Sequence, residues 1–260
     1  MKVAGLKWVS GFPQNMSRQL PYISGLLILN DVETGFPLSV MDCTWITGMR
    51  TGAATAVAAK RLARPDSRCV GILGCGIQGR CNLEALKTAF PGLARVQAYD
   101  LNPAAAFALS EEARTRFQLD VAICQTAREA CADADIIVTA GPILKDPVPV
   151  IERSWLAPGV FLSPVDFDSY LKPEIFAAAD LFYTDDVAQQ EYYRKIGYFS
   201  KVPAPQGDLG DLLVERKRGR QAGDDIAIAM NLGIALEDMS TARLVYEAAL
   251  QRKLGTRLPA

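Results

Sequence analysis

A glycine-rich loop is the stretch of this sequence whose residue types and spacing point most directly to a chemistry. Residues 74–79 read GCGIQG; they follow the apolar run 70–73 and precede a helical stretch. In such a corner Gly74 allows a tight turn, Gly76 lets the backbone approach a pyrophosphate, and Gly79 lets helix and strand pack closely. The first N–H groups of the helix would face the phosphates. The loop therefore predicts a dinucleotide site, with a plain strand-loop-helix corner as the alternative.

An aspartate ends the next strand-like run, 24 residues after Gly76. A carboxylate at this place, Asp100, can accept hydrogen bonds from ribose hydroxyls and would repel a 2′-phosphate, which favours NAD over NADP. A surface aspartate without a ligand is the alternative. The candidate cofactor-binding residues of this part of the chain are Gly74, Gly76, Ile77, Gln78, Gly79, Asp100, Asn102 and Thr139.

Composition excludes several other chemistries. The chain has no histidine, so Ser-His-Asp and Cys-His catalysis are excluded, and an acid or base must be Asp, Glu, Lys, Tyr or Cys. The six cysteines form no C-x-x-C pair, which favours reduced, packed thiols over a metal site. A net charge of -1 gives no reason to expect nucleic acid or an anionic membrane as partner. Without a signal-peptide pattern or an apolar run of roughly 20 residues, we expect a cytoplasmic protein.

The elements that must position these residues alternate between strand and helix from residue 69 onward. Such alternation predicts a parallel sheet with right-handed crossovers. The predicted strands are 70–73, 95–100, 121–124, 136–139, 159–162, 181–184 and 226–230, and the predicted helices are 82–90, 103–116 and 126–132. The fold class expected is therefore α/β.

The two ends of the chain have a different pattern. Residues 26–29 and 36–41 read as a hairpin, and 51–63 as an alanine-rich helix. Near the end, apolar residues recur every three or four positions along a long helix, at Leu232, Ala235, Met239, Ala242, Tyr246 and Ala249. That stripe must pack on the first segment or on another subunit. We expect a first domain over 1–63, a dinucleotide-binding domain over 64–230 and a C-terminal helix over 231–260 that packs back on the first segment.

Six stretches along the chain resemble the ornithine cyclodeaminase and mu-crystallin family. They are GLKWV (5–9), FPQN (12–15), DVETGFP (31–37), TGMRTGAA (47–54), GCGIQ (74–78) and GIALED (233–238). The resemblance implies a Rossmann-type doubly wound parallel sheet with a smaller substrate and dimerisation domain, and a homodimer. Several dozen N-terminal residues of the usual member are absent here, among them a further arginine for the substrate carboxylate, so the first domain is expected to be shortened.

The resemblance also assigns site residues. It places Lys7 and Arg50 where family members bind the substrate carboxylate, with a solvated lysine and a helix-start arginine as the alternatives. Thr51, expected at a helix N-terminus, would contact a cofactor phosphate.

In the family, the catalytic carboxylate lies nine residues after the glycine of a Pro-Gly pair and six before a glutamate; the resemblance therefore places it at Asp168, counted from Gly159 and Glu174. It would exchange a proton with the substrate amine. Asp166 is the competitor, and a helix-capping role for either is the third possibility. The stretch 165–170, VDFDSY, replaces a small, glycine-rich segment of the family, which would narrow the site or change its substrate.

The implied activity is NAD(H)-dependent chemistry on an amino acid or its imine. A cyclodeaminase would return the hydride to a cyclic imine, so that NAD is recycled, whereas an amino-acid dehydrogenase or imine reductase would consume the cofactor. The alternative is a non-catalytic NAD(H)-binding accessory subunit whose partner is an amine-oxidising enzyme. The altered 165–170 stretch and the short N-terminus favour that alternative.

Overall fold

The computed structural model describes residues 2–258, which fall into two units. The small unit contains the chain up to Arg50 and from Ile234 onward, and the Rossmann unit contains Thr51–Gly233. The predicted functional domains, 1–63, 64–230 and 231–260, stay a prediction. Among the described residues, no helix combines the length and apolar character that crossing a bilayer requires.

The small unit is built on an antiparallel sheet of three strands in the order β1 (Ala4–Gly11), β2 (Ile23–Asn30) and β3 (Pro37–Asp42). Side chains alternate between the two faces of each strand. One face of β2 is therefore fully buried at Leu27 and Leu29, where it packs with Met239 and Ala242 of α8 (Ala235–Gln251). The apolar stripe of the C-terminal helix thus packs on the first segment of its own chain.

The Rossmann unit contains a seven-stranded sheet in the order β6-β5-β4-β7-β8-β10-β9, and its paired strands are all parallel. The strands are β4 (Cys69–Leu73), β5 (Arg95–Tyr99), β6 (Asp120–Ile123), β7 (Ile136–Thr139), β8 (Phe161–Pro164), β9 (Leu181–Tyr183) and β10 (Ala227–Ala229). The order reverses at β4, as in doubly wound dinucleotide-binding sheets. The predicted α/β class and Rossmann-type sheet are confirmed.

Helices flank this sheet on both faces. They are α2 (Ile77–Ala89), α3 (Pro103–Phe117), α4 (Ala127–Cys131), α5 (Pro173–Ala177), α6 (Val187–Lys195) and α7 (Leu209–Leu213). Every residue of β7 is buried: Ile136 and Val138 pack in one apolar cluster and Ile137 in another. A strand covered on both faces must be apolar throughout, which is why β4 and β7 read as continuous apolar runs in the sequence.

One predicted helix start is wrong, and the difference affects the site. The helix expected over 51–63 is α1 (Thr44–Leu62), which begins seven residues earlier. At this earlier start the Asp42 carboxylate accepts hydrogen bonds from the backbone N–H of Thr44 (2.9 Å) and from its hydroxyl (3.1 Å), which stabilises the first turn. Elsewhere the strand and helix limits differ from the predicted ones by a few residues; β8, for example, begins at Phe161 rather than Gly159.

Candidate functional site

The glycine loop lies between β4 and α2 and is held by its own backbone. Gly74 has a φ of +99° and donates its N–H to the carbonyl of Tyr99 (2.9 Å). A Cβ on Gly74 would lie 2.6 Å from the carbonyl of Ala140, and one on Gly79 would lie 2.1 Å from the carbonyl of Gly74. Both positions therefore require glycine for the packing of the loop itself.

Gly76 differs from the other two glycines. A Cβ added there would meet no atom within 4 Å, and its φ of -71° suits any residue. Gly76 is also the N-cap residue of α2. Because glycine has no side chain, the first turn of α2 has no side-chain cap. The N–H groups that open α2, at Ile77, Gln78 and Gly79, are in the arrangement that binds phosphate. Among the described residues nothing would contact a side chain at 76, so the glycine leaves open space beside the first turn of α2.

Asp100 is brought to the loop because β5 pairs with β4. Its Oδ2 accepts a hydrogen bond from the N–H of Cys75 (2.7 Å), and its Oδ1 accepts one from the N–H of Asn102 (2.8 Å). The Asn102 side chain in turn accepts from the N–H of Ala104 (3.1 Å) and so caps α3. The carboxylate is therefore fixed beside the loop, with one lone pair of each oxygen still available to a ribose hydroxyl.

Thr139 ends β7, the strand on the other side of β4, and its hydroxyl donates to Oδ1 of Asp166 (2.6 Å). The N–H of Gly141 donates to the second oxygen of Asp166 (2.8 Å). Asp166 is buried, and burial raises its pKa to about 7 although the two hydrogen bonds act in the opposite direction. This carboxyl group ties the ends of β7 and β8 together.

Asp168 follows Asp166 on the same turn beyond β8, but its surroundings differ. The residue is 9% exposed, and burial raises the pKa of its carboxyl group. Its Oδ1 is buried and has no hydrogen-bond partner among the described residues. A buried carboxylate oxygen without a donor is costly, and such groups are concentrated at functional sites.

Lys7 and Arg50 both bind acidic residues of α8 in the small unit. Nζ of Lys7 lies 2.6 Å from Oδ1 of Asp238, and the same oxygen lies 3.4 Å from Nε of Arg50. Arg50 also donates to Oε2 of Glu237 (3.0 Å). The Lys7 side chain is 10% exposed and the Arg50 side chain 13%, so Lys7 is not a solvated lysine, and Arg50 lies inside α1 rather than at its start.

Sequence reasoning missed the part played by Glu237 and Asp238. Their signal in the sequence is the acid pair that ends GIALED (233–238).

The expected place of Thr51 at a helix N-terminus is wrong. Thr51 lies in the second turn of α1 and is 6% exposed, so it has no free helix N-terminus to share with a phosphate. Its contact with a cofactor stays a prediction.

Comparison with known proteins agrees with this geometry. The sequence profile of the ornithine cyclodeaminase/mu-crystallin family matches residues 1–253. Alanine dehydrogenase from Archaeoglobus fulgidus is 35% identical over 267 aligned residues, which cover 99% of this chain and 80% of that protein.

Solved structures resemble the chain over the same length. Δ1-pyrroline-2-carboxylate reductase from Thermococcus litoralis, in complex with NADH and L-proline, gives a TM-score of 0.87 at 30% identity and covers 98% of this chain and 81% of that one. An archaeal alanine dehydrogenase dimer with bound NAD gives a TM-score of 0.85 at 33% identity, covering 100% and 81%. The range matched by the family profile spans the glycine loop, Lys7, Arg50 and the turn with Asp166 and Asp168.

Proposed function

Because the chain belongs to the ornithine cyclodeaminase/mu-crystallin family, we propose that it is an NAD(H)-dependent enzyme acting on an amino acid or its imine. One observation carries the proposal: the unit that holds the glycine loop also holds Asp168, a buried carboxyl group with an oxygen that no described residue satisfies. The two solved relatives contain NADH or NAD, which supports the choice of cofactor.

The residues of the loop fit a dinucleotide. The absence of a Cβ at Gly76 leaves room for a pyrophosphate, and the N–H groups of Ile77 and Gln78 would hold it. Asp100 would accept hydrogen bonds from the adenosine ribose, and its charge disfavours a 2′-phosphate. When bound, the nicotinamide accepts or donates the hydride. The chain's own residues bind and orient the substrate and manage its proton.

Lys7 and Arg50 are assigned to the substrate carboxylate. Each is positively charged, and each forms an ion pair with an α8 carboxylate that fixes its side chain. An arginine fork and a lysine point charge together suit one carboxylate. Fixing the α-carboxylate would orient the α-carbon and its nitrogen for hydride transfer.

Asp168 is assigned to the substrate nitrogen. As a carboxylate it would take a proton from the α-ammonium group when an amino acid is oxidised, and as a carboxylic acid it would return one when an imine is reduced. Asp166 is the weaker candidate, because Thr139 and Gly141 already occupy both its oxygens. The raised pKa of Asp168 keeps its protonated form available closer to neutral pH, which suits a group that must both give and take a proton.

The test is turnover with a defined panel. Amino acids with NAD, and cyclic imines with NADH, would be followed through the absorbance of the reduced nicotinamide, with proline and ammonia measured in the ornithine sample. We expect Asp168→Asn to lower kcat by about 100-fold or more, within the range of general acid–base catalysis. Asp120→Asn is the matched control, since Asp120 is exposed on the edge strand β6.

The products distinguish the versions of the reaction. Proline and ammonia without net NADH identify a cyclodeaminase, while net oxidation or reduction identifies a dehydrogenase or imine reductase. Lack of turnover throughout, from protein that binds NADH, would contradict the proposal and favour the accessory-subunit alternative.

We further propose that the protein is a cytoplasmic homodimer. One face of the small unit's sheet carries exposed apolar side chains, Leu6, Trp8, Leu26 and Val40, with the half-buried Ile28 between them. We call this set the exposed sheet face. A contiguous apolar surface of this kind usually marks an interface. The archaeal alanine dehydrogenase that covers the whole of this chain is a dimer, which supports a second copy as the occupant.

A further inference from the structure

Phe167, between the two aspartates, has a backbone conformation that phenylalanine rarely adopts. Its φ is +65°, in the left-handed region, and the residue is 5% exposed. A bulky residue in that region is a true outlier, because its Cβ is close to its own carbonyl oxygen. Such a conformation persists only where the surroundings fix it.

Aromatic rings provide that fixation. The Phe167 ring lies edge-on to Tyr193 (5.4 Å between centroids) and Tyr198 (6.0 Å), and in a similar orientation to Phe199 (5.1 Å). Tyr193 belongs to α6, and the other two rings follow it along the chain. Three contacts of this geometry around one buried ring are favourable beyond the apolar area that they bury.

Both neighbours of this turn are also anchored. Asp166 is bonded to Thr139 and Gly141. On the other side, the Ser169 hydroxyl donates to the carbonyl of Asp166 (2.6 Å) and accepts from the N–H of Leu144 (3.0 Å). Asp168 is the exception, because no described residue donates to its Oδ1. The hydrogen bond recorded for its carboxyl group comes from the backbone N–H of Asp168 itself, so the direction of that group follows the backbone of the turn.

We propose that Phe167 is a positioning residue: its ring, held by Tyr193, Tyr198 and Phe199, keeps residue 167 left-handed, and this directs the Asp168 carboxyl group to the substrate nitrogen. The inference rests on the proposed proton role of Asp168. A glycine reaches a positive φ freely but fixes nothing, whereas an anchored Phe167 holds one conformation.

The variants separate anchoring from packing. Phe167→Leu keeps an apolar side chain without the edge-on ring contacts, and Phe167→Gly allows the positive φ without an anchor. Phe176→Leu is the matched control, since Phe176 is 2% exposed and lies edge-on to Phe182 at 5.5 Å in the same apolar cluster. Loss of packing alone would affect Phe176→Leu and Phe167→Leu to the same extent.

We expect both Phe167 variants to lower kcat by about 10- to 100-fold with little change in KM, as misplacement of a reacting group does, and Phe176→Leu to keep kcat. A second measurement needs no turnover: the ¹³C carboxyl signal of Asp168, assigned with Asp168→Asn, is titrated in each protein. Asp166, Tyr170, Tyr193 and Tyr198 are the titratable groups on or packed around the turn. We expect the midpoint of Asp168 to move towards that of an ordinary aspartate in the Phe167 variants only.

An unchanged Asp168 titration in folded Phe167→Leu and Phe167→Gly would overturn the inference, as would an equal loss of kcat in Phe176→Leu. Full activity of Asp168→Asn would instead overturn the proposed proton role. In that case the carboxyl titration still decides whether Phe167 positions Asp168.

Discussion

At the scale of single residues, the buried acids Asp166, Asp168 and Asp238 differ in the contacts of their carboxylate oxygens. Asp238 is shared by Lys7 and Arg50, and Asp166 accepts from a hydroxyl and a backbone N–H. Asp168 has an oxygen with no donor among the described residues. Bonded acids fix other groups in place, which is why we propose Asp168, rather than Asp166, as the acid that exchanges protons with a substrate.

Asp166 gives a prediction about stability and pH. Its pKa in the folded protein is raised from 3.8 to about 7, so the folded state binds its proton more tightly than the unfolded chain does. The stability that this group contributes is therefore fully present below about pH 4 and is lost as the pH rises towards 7. Asp166→Asn cannot ionise, and its amide can accept from the Gly141 N–H while donating to the Thr139 hydroxyl.

We therefore expect Asp166→Asn to gain stability relative to the wild type between pH 4 and 8, by a few kcal/mol at most, at ~1.4 kcal/mol per unit of pKa shift. Urea unfolding at a series of pH values measures the difference. Asp166→Ala should lose stability at every pH, because two donors lose their acceptor. Parallel pH profiles for wild type and Asp166→Asn would show that Asp166 is ionised in the folded protein over this whole range.

At the scale of elements, the three glycines of the loop serve two purposes. Gly74 and Gly79 are required by close backbone contacts, and Gly76 faces open space. The same loop thus closes the corner between β4 and α2 and leaves the first turn of α2 accessible. The geometry that positions the loop is that of the sheet, because β5 and β7, the two neighbours of β4, supply Asp100 and Thr139.

A pair of alanine variants tests this division. We expect Gly76→Ala to keep its Tm within about 2 °C and to weaken NADH binding by about 10-fold or more, because its Cβ would occupy the approach to the pyrophosphate. Gly79→Ala should lower Tm, since its Cβ would lie 2.1 Å from the carbonyl of Gly74. Thermal unfolding and NADH fluorescence titration give both values. Unaltered NADH affinity in Gly76→Ala would contradict the assignment of the loop as the cofactor site.

The sequence predicts the Rossmann unit well for a physical reason. Buried parallel strands must be continuous apolar runs, and β4 and β7 are such runs. The sequence does not predict the start of α1, because its first residues, including Thr44, Ile46 and Gly48, have low helix propensity. In the folded protein, tertiary packing overrides this low propensity. Likewise, the contact of Lys7 with Asp238 joins residues 231 positions apart. A left-handed phenylalanine such as Phe167 has no sequence signal at all.

At the scale of the whole molecule, the chain has two units with separate cores and separate proposed tasks. The Rossmann unit carries the glycine loop and Asp168, and the small unit carries Lys7 and Arg50. In the small unit α8 covers one face of the sheet and buries Leu27 and Leu29. The opposite face has no cover within the described part of its own unit, which is why a second copy is proposed to occupy it.

Trp8 is the residue we would change to test the proposed dimer, because it is the most exposed member of the exposed sheet face at 75%. Large aromatic side chains dominate the energetics of most interfaces, and a buried charge in their place is strongly unfavourable. We expect Trp8→Glu to weaken self-association by about 30-fold or more, measured by sedimentation over a concentration series. Phe107→Glu is the control, since Phe107 is 58% exposed on α3 of the Rossmann unit. If Trp8→Glu sediments as a dimer at every concentration, the second copy must bind through a different surface.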